Sequence, residues 1–403
     1  MKNLTLISNN KNTILLWFAQ MISGAGDAMY QLALLWVVLD ITGSSMITGF
    51  VVMSAHLPAI IFGLYSGVLS DKFNRFPLMI FSHGAQSLTV MLIPIILHFD
   101  MNHITLIGLA AFTRNSFGTL FPPAFNAFVA ENYSHNSLVK VNSLLTTSGY
   151  LAFLLGPALA GALLSVLSIK YLFIFDSITF LVAILFLFFI SFPRSSANLK
   201  NTHTTVHELF SGFAYLRKNS AIGSLLFLTT INNIFIMGPA LIGLPIMVKT
   251  HLNGSILDFA LIEAGMALGM LFGAFSVYRF SNHVSSGKIL LVGMIWDGIT
   301  FAIFFFVQTV PIAFILIIFH GIGIPAITIS RTAIIQRHSP SYYHGRLFSM
   351  IHLGVVGMTS LSAGLVGYLN TFISIQDIFF YFGIGGASCG ILGVLIPKLR
   401  GLK

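Results

Sequence analysis

Long apolar runs separated by short polar segments follow one another along the whole chain. An α-helix needs about 20 apolar residues to cross a bilayer core of about 30 Å. By this measure the pattern predicts twelve membrane-spanning helices, near residues 13–39, 46–70, 76–98, 104–128, 140–167, 171–192, 221–248, 256–280, 288–308, 311–335, 346–371 and 376–397. The first run is much longer than the apolar core of a signal peptide and lacks a small-residue cleavage site, so we expect an uncleaved span.

The longest polar segment, residues 193–220, follows the sixth predicted span. It separates a first bundle at 1–192 from a second at 221–403, with the segment itself as a cytoplasmic linker. PPAFNAFVAENYSHNSLVKVNSL from Pro122 and IPAITISRTAIIQRHSPSYYHGRLFSM from Ile324 each place a Pro-Ala pair in an even-numbered span before a polar loop. Duplicated six-helix units are typical of transporters that bind substrate near the midplane. We therefore predict an all-α membrane protein with twelve transmembrane helices in two pseudo-symmetric six-helix bundles.

Composition agrees with a membrane protein and excludes some chemistry. The 403 residues are 56% hydrophobic and 8% charged, whereas soluble domains are about 25% charged. The single cysteine, Cys389, excludes an intramolecular disulfide and a metal site built from several cysteines.

The net charge of +9 raises the question of a nucleic-acid partner. If the N-terminus is cytoplasmic, all but three of the 20 Lys and Arg residues fall at the inner ends of the predicted spans. The exceptions are Lys170 and Lys249 in outer loops and Arg114 inside a span. This is the positive-inside pattern, with both termini in the cytoplasm. The basic excess is explained by topology, and no nucleic-acid partner is expected.

A charged loop, SGVLSDKFNRF, stands between the second and third spans. It resembles the signature of the major facilitator superfamily, G-x-x-x-D-R/K-x-G-R/K. Gly67, Asp71, Lys72 and Arg75 match, and Asn74 replaces the second Gly. Asn is tolerated in a left-handed backbone turn, so we expect such a turn there. The resemblance implies a conformational gate loop, whose Asp holds the outward-facing state shut from inside.

The fourth span, FTRNSFGTLFPPAF, carries Arg114 and, four residues later, Gly118. This partly resembles the family pattern R-x-x-x-G, with Phe117 in place of the usual Gln. An Arg at mid-membrane costs at least about 2.5 kcal/mol and needs a partner. Asp27 in the first span lies at comparable depth, and in this fold both spans line the central cavity. We expect an Asp27–Arg114 pair.

Two roles for the pair remain open. As a proton-coupling site, protonation of Asp27 would free Arg114 and favour one orientation, while a cationic or neutral apolar substrate competes for the cavity. As a structural element, the buried pair would only hold two helices together.

The fifth span contains GYLAFLLGPALAG. Gly149, Gly156, Pro157 and Gly161 resemble the antiporter signature ending in G-P-x-x-G-G, with Ala160 replacing one Gly. Within the superfamily this signature marks exporters. DAMYQLALLWVVLDITGSS and SPSYYHGRLFSM resemble the efflux branch that includes macrolide and siderophore exporters. The resemblance therefore implies efflux.

Other polar groups inside apolar runs are weaker candidates. Those that could belong to a substrate cavity in the second half are Asn232, Asn233, Glu263 and Asp297. The acidic residues of this kind, including Asp176, could instead be coupling sites or be satisfied at helix interfaces. His320 and His352 could titrate near neutrality or be simply hydrogen-bonded.

The absence of H-E-x-x-H and P-loop motifs argues against an enzyme or an ATP-driven pump. We expect a secondary active transporter with no cofactor, driven by a proton gradient, that exports small amphipathic or hydrophobic molecules such as drugs, macrolides or siderophores. The resemblance also implies a monomer in the bacterial plasma membrane. The alternative is a lysophospholipid or other lipid flippase of the same fold, which NSLVKVNSL also resembles. A non-transporting receptor or scaffold would leave the gate loop and the intramembrane charges without a use.

Overall fold

The computed structural model describes residues 4–99, 104–133, 135–191, 214–280 and 283–402. Within these ranges all regular structure is helical. The helices of the first half are α1 (Leu4–Thr42), α2 (Ser45–Lys72), α3 (Arg75–Val90), α4 (Leu92–His98), α5 (Ile104–Gly118), α6 (Phe121–Asn132), α7 (His135–Leu164) and α8 (Lys170–Phe188). Those of the second half are α9 (Ser220–Gly238), α10 (Leu244–Ile246), α11 (Ile256–Phe280), α12 (Ser286–Ile303), α13 (Val310–His338), α14 (Ser341–Leu369), α15 (Ile375–Val394) and α16 (Pro397–Arg400).

Eleven helical segments of the described residues are long and apolar enough to cross a membrane. The predicted span at 104–128 accounts for the difference, because it folds as two shorter helices, α5 and α6, with a break at Thr119 and Leu120. Pro122 and Pro123 follow this break and have no backbone N–H to donate to the preceding turn. The prediction of a multi-pass, all-helical membrane protein is confirmed.

Two π-helical segments, Pro239–Gly243 and Met247–His251, flank the short helix α10. Together with α9 they continue one apolar span from Ser220 to His251. Each π segment begins close to a proline, where the regular hydrogen-bond ladder of an α-helix is interrupted.

The chain separates into two compact units. Unit 1 contains Met1–Ile41 and Leu57–Asn201, and unit 2 contains Thr42–His56 and Thr202–Lys403. The predicted linker at 193–220 lies largely outside the described residues, and the predicted domain boundaries stay a prediction.

Unit 1 is built around α3, which contacts α5, α6 and α8. Hydrogen bonds tie α1 to the rest of the unit: Trp17 Nε1 donates to Thr147 Oγ1 at 2.9 Å, and Asn12 Nδ2 donates to the carbonyl of Ser191 at 3.0 Å. Part of the core consists of Leu16, Ala19, Met79, Ala124, Phe125, Phe128, Val129, Leu145, Ala183 and Leu187. The helices that carry the intramembrane charges of the first half are thus fixed within one unit.

In unit 2, α12 contacts α13 and α15, α11 contacts α13, and α9 contacts α14. Glycines permit the closest of these approaches, since a Cβ on Gly269 would collide with the carbonyl oxygen of Ile318, and a Cβ on Gly298 with the backbone of Ala387. Small residues at helix contacts are the usual way in which membrane helices gain van der Waals packing.

The first turns of α2 also belong to unit 2, where they contact α14. Ser45 Oγ donates to the carbonyl of Gly367 at 3.3 Å, and Ser360 Oγ donates to the carbonyl of Met53 at 3.1 Å. These two side chain-to-backbone bonds hold the two helices together.

Candidate functional site

Arg114 on α5 is the centre of a buried ionic cluster in unit 1. Only 4% of the surface of Arg114 is exposed. Nη2 donates both to Oδ1 of Asp27 on α1 and, at 2.9 Å, to Oδ2 of Asp176 on α8. Nη1 donates to Oδ1 of Asn115 at 3.1 Å. The structure therefore brings together the predicted partners Asp27 and Arg114 and adds Asp176 as a third member, and we call these three residues the charge triad.

Aromatic rings cover the guanidinium of Arg114. Its Cζ atom lies 3.9 Å from the centroid of the Tyr30 ring and 5.3 Å from that of Phe180. A cation at these distances from a ring is attracted by the electron-rich face, more strongly where water is excluded. The rings help Arg114 to remain charged inside the bundle.

The two carboxylates of the charge triad differ in their exposure. The side chain of Asp27 is 42% exposed, whereas that of Asp176 is completely buried. Two ionised carboxylates exceed the single positive charge of Arg114 by one negative charge. One proton would neutralise the cluster, and Asp27 is the carboxylate that water or a ligand can reach.

Glycines let α1 approach its neighbours closely enough to form the charge triad. A Cβ on Gly24 would lie 2.9 Å from Cβ of Ala152, and one on Gly156 would lie 2.5 Å from Cβ of Ala28. On another face of α1, a Cβ on Gly26 would collide with the side chain of Thr179 on α8. Without side chains at these positions, α1 fits against both α7 and α8.

A cavity of about 320 Å³ opens beside the charge triad within unit 1. The polar side chains that line it are Gln20, Ser23, Asp27, Gln31, His83 and Gln86. Phe121, Phe153 and Phe180 form apolar parts of its wall. Concave sites with apolar walls and a few convergent polar groups are typical of small-molecule binding. The reachable carboxylate of Asp27 faces this space.

Two cavity glutamines are held by hydrogen bonds. Gln86 Nε2 donates to Ser82 Oγ at 3.2 Å, and Gln20 Oε1 accepts from Ser148 Oγ at 3.1 Å. Gly118, singled out in the sequence after Arg114, ends α5 where a Cβ would lie 2.9 Å from Oε1 of Gln86. The lack of a side chain at Gly118 therefore leaves room for Gln86 at the cavity wall.

The residues of the predicted gate loop occupy a helix end, a cap and a helix start. Gly67 and Lys72 lie in the last turns of α2, and the side chain of Asp71 lies outside the described part of the structure. Asn74 has φ −62° and caps α3, where its side chain accepts a hydrogen bond from the N–H of Phe76 at 3.2 Å. The expected left-handed turn at Asn74 is wrong, because an N-cap requires extended backbone.

Arg75 begins α3 and forms an ion pair with Glu131 near the end of α6. Their side chains are 17% and 30% exposed. The pair joins two helices of unit 1 next to the predicted gate loop, and the gating role itself stays a prediction.

The residues that resemble the antiporter signature lie along α7. Gly156 packs closely against α1, Gly149 lines the cavity, and Pro157 stands inside the helix. Gly161 follows one turn later on the same helix. The motif therefore covers both the α1 contact and part of the cavity wall, while its meaning for antiport stays a prediction.

The candidate cavity residues of the second half lie in unit 2. Asn232 donates to the carbonyl of Gly386 at 3.2 Å, and Asn233 donates to that of Thr229 in its own helix at 2.7 Å. Glu263 is half-buried on α11. None of these residues lines the cavity of unit 1, and their assignment to a substrate cavity stays a prediction.

Asp297 is 2% exposed and does not line the unit 1 cavity either. Its Oδ1 lies 3.2 Å from Nε2 of His320, which is fully buried. His320 Nδ1 is 2.9 Å from the hydroxyl of Thr300, and Phe301 stacks on the imidazole at 3.8 Å. Asp297 therefore lies in a helix contact of unit 2, and His352 is exposed on α14.

Two residues of the first half stand out in the structure more than in the sequence. Asp176 is one of several acidic candidates in the sequence, and His83 is not among the predicted site residues. Each is a titratable side chain in a predicted membrane span, and the cost of placing such a group in a membrane is the signal that could have selected both.

The family model of transmembrane secretion effectors, MFS_3, matches residues 8–396 of the chain. The chain belongs to this family. It is accordingly a multi-pass transporter of the major facilitator superfamily that acts on small molecules, and not an enzyme, as the sequence motifs predicted.

Curated relatives of this secretion-effector chain include macrolide efflux protein A of Streptococcus pyogenes, which is 24% identical over 360 residues and is matched over 87% of both chains. Multidrug efflux pump Tap of Mycolicibacterium fortuitum is 21% identical over 403 residues, with 96% of each chain covered. The similarity extends through both halves of the protein.

Solved structures show the same fold. The nucleoside transporter NupG superposes with a TM-score of 0.73 at 14% identity and covers 97% of this chain and 100% of its own. A bacterial homologue of the iron transporter ferroportin gives a TM-score of 0.73 at 14% identity, with 96% and 98% covered. The predicted major facilitator fold is confirmed.

Proposed function

We propose that the chain exports small amphipathic or hydrophobic molecules by proton antiport with alternating access. The observation that carries the proposal is the charge triad, in which the exposed carboxylate of Asp27 faces a cavity while Arg114 and Asp176 are buried behind it. A residue that couples proton and substrate transport must contact both the substrate cavity and an opposite charge, and Asp27 contacts both.

Efflux is supported by the secretion-effector family and by relatives named for macrolide and multidrug efflux. The chain is thus an efflux-type transporter of the major facilitator superfamily. Drugs, macrolides and siderophores are the substrate types that we propose. The positive-inside pattern supports a bacterial plasma membrane protein with both termini in the cytoplasm, and we propose that it works as a monomer.

The proton binds at Asp27 in this proposal. Proton binding removes the excess negative charge of the triad and weakens the attraction between Asp27 and Arg114. Arg114 keeps its bond to Asp176, so protonation frees it from Asp27 alone. Protonation therefore weakens the contact between α1 and α5.

Substrate and proton compete for the same carboxylate. An amphipathic cation that enters the cavity from the cytoplasm places its charge against Asp27 and its apolar part against the Phe side chains of the wall. A proton from the outside displaces it after the transporter has changed orientation. Each ligand stabilises the state in which it binds better. The two fluxes are coupled because proton and substrate exclude each other at Asp27 and the transporter reorients only with one of them bound. The proton gradient supplies the energy, and no cofactor takes part.

Retention of labelled compounds in an efflux-deficient bacterium tests the proposal. The chain is expressed, and a panel of apolar cations, macrolides and a labelled lysolipid is followed with and without a proton uncoupler. We expect drug retention to fall on expression and to recover with uncoupler. Movement of lysolipid that is indifferent to the uncoupler would instead support the lipid flippase.

A further inference from the structure

His83 is a buried residue of α3 at the wall of the unit 1 cavity. It is 2% exposed, and neither of its ring nitrogens has a hydrogen-bond partner among the described residues. Most buried polar atoms in native proteins are paired, so an imidazole with two unpaired nitrogens requires an explanation.

Aromatic side chains fix the position of the imidazole. The His83 ring stacks on Phe121 with centroids 4.1 Å apart and an interplanar angle of 27°, and it lies 5.2 Å from the Phe180 ring. Phe180 also lies over Arg114 of the charge triad. Phe121 covers one face of the imidazole and Phe180 lies beside it, and the two buried nitrogens are the atoms of the ring that lack a partner among the described residues.

Polar groups of two neighbouring glutamines are engaged elsewhere. The amide nitrogen of Gln86, one turn along α3, donates to Ser82 Oγ and, at 3.3 Å, to the Ser82 carbonyl. The amide oxygen of Gln20 accepts from Ser148. The adjoining cavity, whose volume of about 320 Å³ admits a polar group of a bound molecule, can supply a partner for His83.

We propose that His83 is a substrate-binding residue that hydrogen-bonds a neutral oxygen of the substrate, either a hydroxyl or a carbonyl. A neutral imidazole carries one donor and one acceptor and matches such a group. The apolar part of the same molecule contacts Phe121 and Phe153 at the cavity wall. This inference rests on the proposed export function and specifies the substrates further as amphipathic molecules that carry hydroxyl or carbonyl oxygens. His83 distinguishes them from purely apolar cations, which need only Asp27 for binding.

Equilibrium binding to the purified, full-length chain in detergent tests the inference. The probes are a radiolabelled macrolide, which carries hydroxyl and carbonyl oxygens, and tetraphenylphosphonium, an apolar cation without hydrogen-bonding groups. His83→Phe keeps an aromatic ring in the stack but removes both nitrogens, and His83→Gln keeps a donor and an acceptor. Size-exclusion chromatography verifies that each variant is folded.

For the loss of one hydrogen bond we expect His83→Phe to raise the macrolide Kd about tenfold and to change the tetraphenylphosphonium Kd by less than about twofold. His83→Gln should remain within about threefold of the parent chain for the macrolide, because its amide can replace the lost bond.

Three results would overturn the inference. Equal weakening of both probes by His83→Phe would show a packing role, and unchanged macrolide binding would show that His83 contacts no substrate oxygen. Binding of tetraphenylphosphonium without any macrolide binding to the parent chain would contradict the oxygen-bearing substrate class while leaving proton-coupled export intact. Failure of the parent chain to bind either probe would reject the proposed function together with the inference.

Discussion

The guanidinium of Arg114 lies 2.9 Å from the fully buried carboxylate of Asp176. This bond gives Arg114 a partner that is independent of Asp27. It separates two tasks that a simple ion pair would combine: Asp176 keeps the positive charge inside the bundle, and Asp27 remains available to the cavity.

Replacing Arg114 by Gln should destabilise the protein strongly. The change leaves two carboxylates without their positive charge, and removing one partner of a buried ionic group costs about 3–5 kcal/mol. We expect a lower midpoint of thermal unfolding in detergent, measured by the loss of the monodisperse chromatographic peak. The double variant Arg114→Gln, Asp176→Asn should recover part of the loss because it removes the unpaired buried charge. Parent-like stability of the single variant would contradict the central place of Arg114.

Gly156→Ala should push α1 away from α7. A Cβ there would lie 2.5 Å from Cβ of Ala28 and 2.8 Å from the carbonyl oxygen of Ala25, and such overpacking costs about 1–3 kcal/mol. We expect a lower thermal midpoint together with reduced efflux. Gly63→Ala on α2 is the matched control, since a Cβ at Gly63 meets no atom within 4 Å. Equal behaviour of the two variants would show that the close helix contact is unimportant.

Arg75→Gln and Glu131→Gln distinguish a role of Arg75 in the conformational gate from a role of its ion pair with Glu131. Both changes remove the same partly exposed bridge, which contributes about 0.2–1 kcal/mol to stability. If Arg75 acts in the conformational gate, as the loop signature implies, Arg75→Gln should lose most of its efflux while Glu131→Gln retains it. Both variants should unfold near the parent temperature. An equal loss of efflux in the two would assign the effect to the bridge and not to the gate.

Asp297→Asn should leave uncoupler-sensitive efflux in place. Asp297 lies in a buried helix contact with His320 and does not line the unit 1 cavity, so its replacement should alter stability more than coupling. The comparison is with Asp27→Asn in the same retention assay. Loss of uncoupler sensitivity in Asp297→Asn would place a coupling site in unit 2.

Much of the fold follows from the length and spacing of the apolar runs along the chain. The breaks and caps of individual helices are less evident in the sequence. The spans were predictable because their length and hydropathy are local properties. The break at Thr119 and Leu120 was also encoded locally, in Pro122 and Pro123, but a continuous apolar run concealed it. In contrast, the N-cap at Asn74 was misjudged because the family pattern suggested a glycine-like turn.

For the site, the Asp27–Arg114 pair was predictable from depth along two spans together with the family fold, in which both spans line the central cavity. Depth alone did not reveal Asp176, because the direction in which α8 presents its side chains depends on how α8 packs against α1 and α3. The titratable side chain of His83 is visible in the sequence, but its importance comes from the Phe121 and Phe180 rings and from the cavity beside it.

The central claim is that Asp27 carries the coupled proton, and substrate-driven proton movement in proteoliposomes measures this most directly. The purified chain and its Asp27→Asn variant are reconstituted with a pH-sensitive dye inside, and a transported macrolide or apolar cation is added outside. We predict that substrate drives proton movement through the parent chain and that the variant moves no protons although it remains folded. Proton movement by Asp27→Asn equal to that of the parent chain would contradict the account.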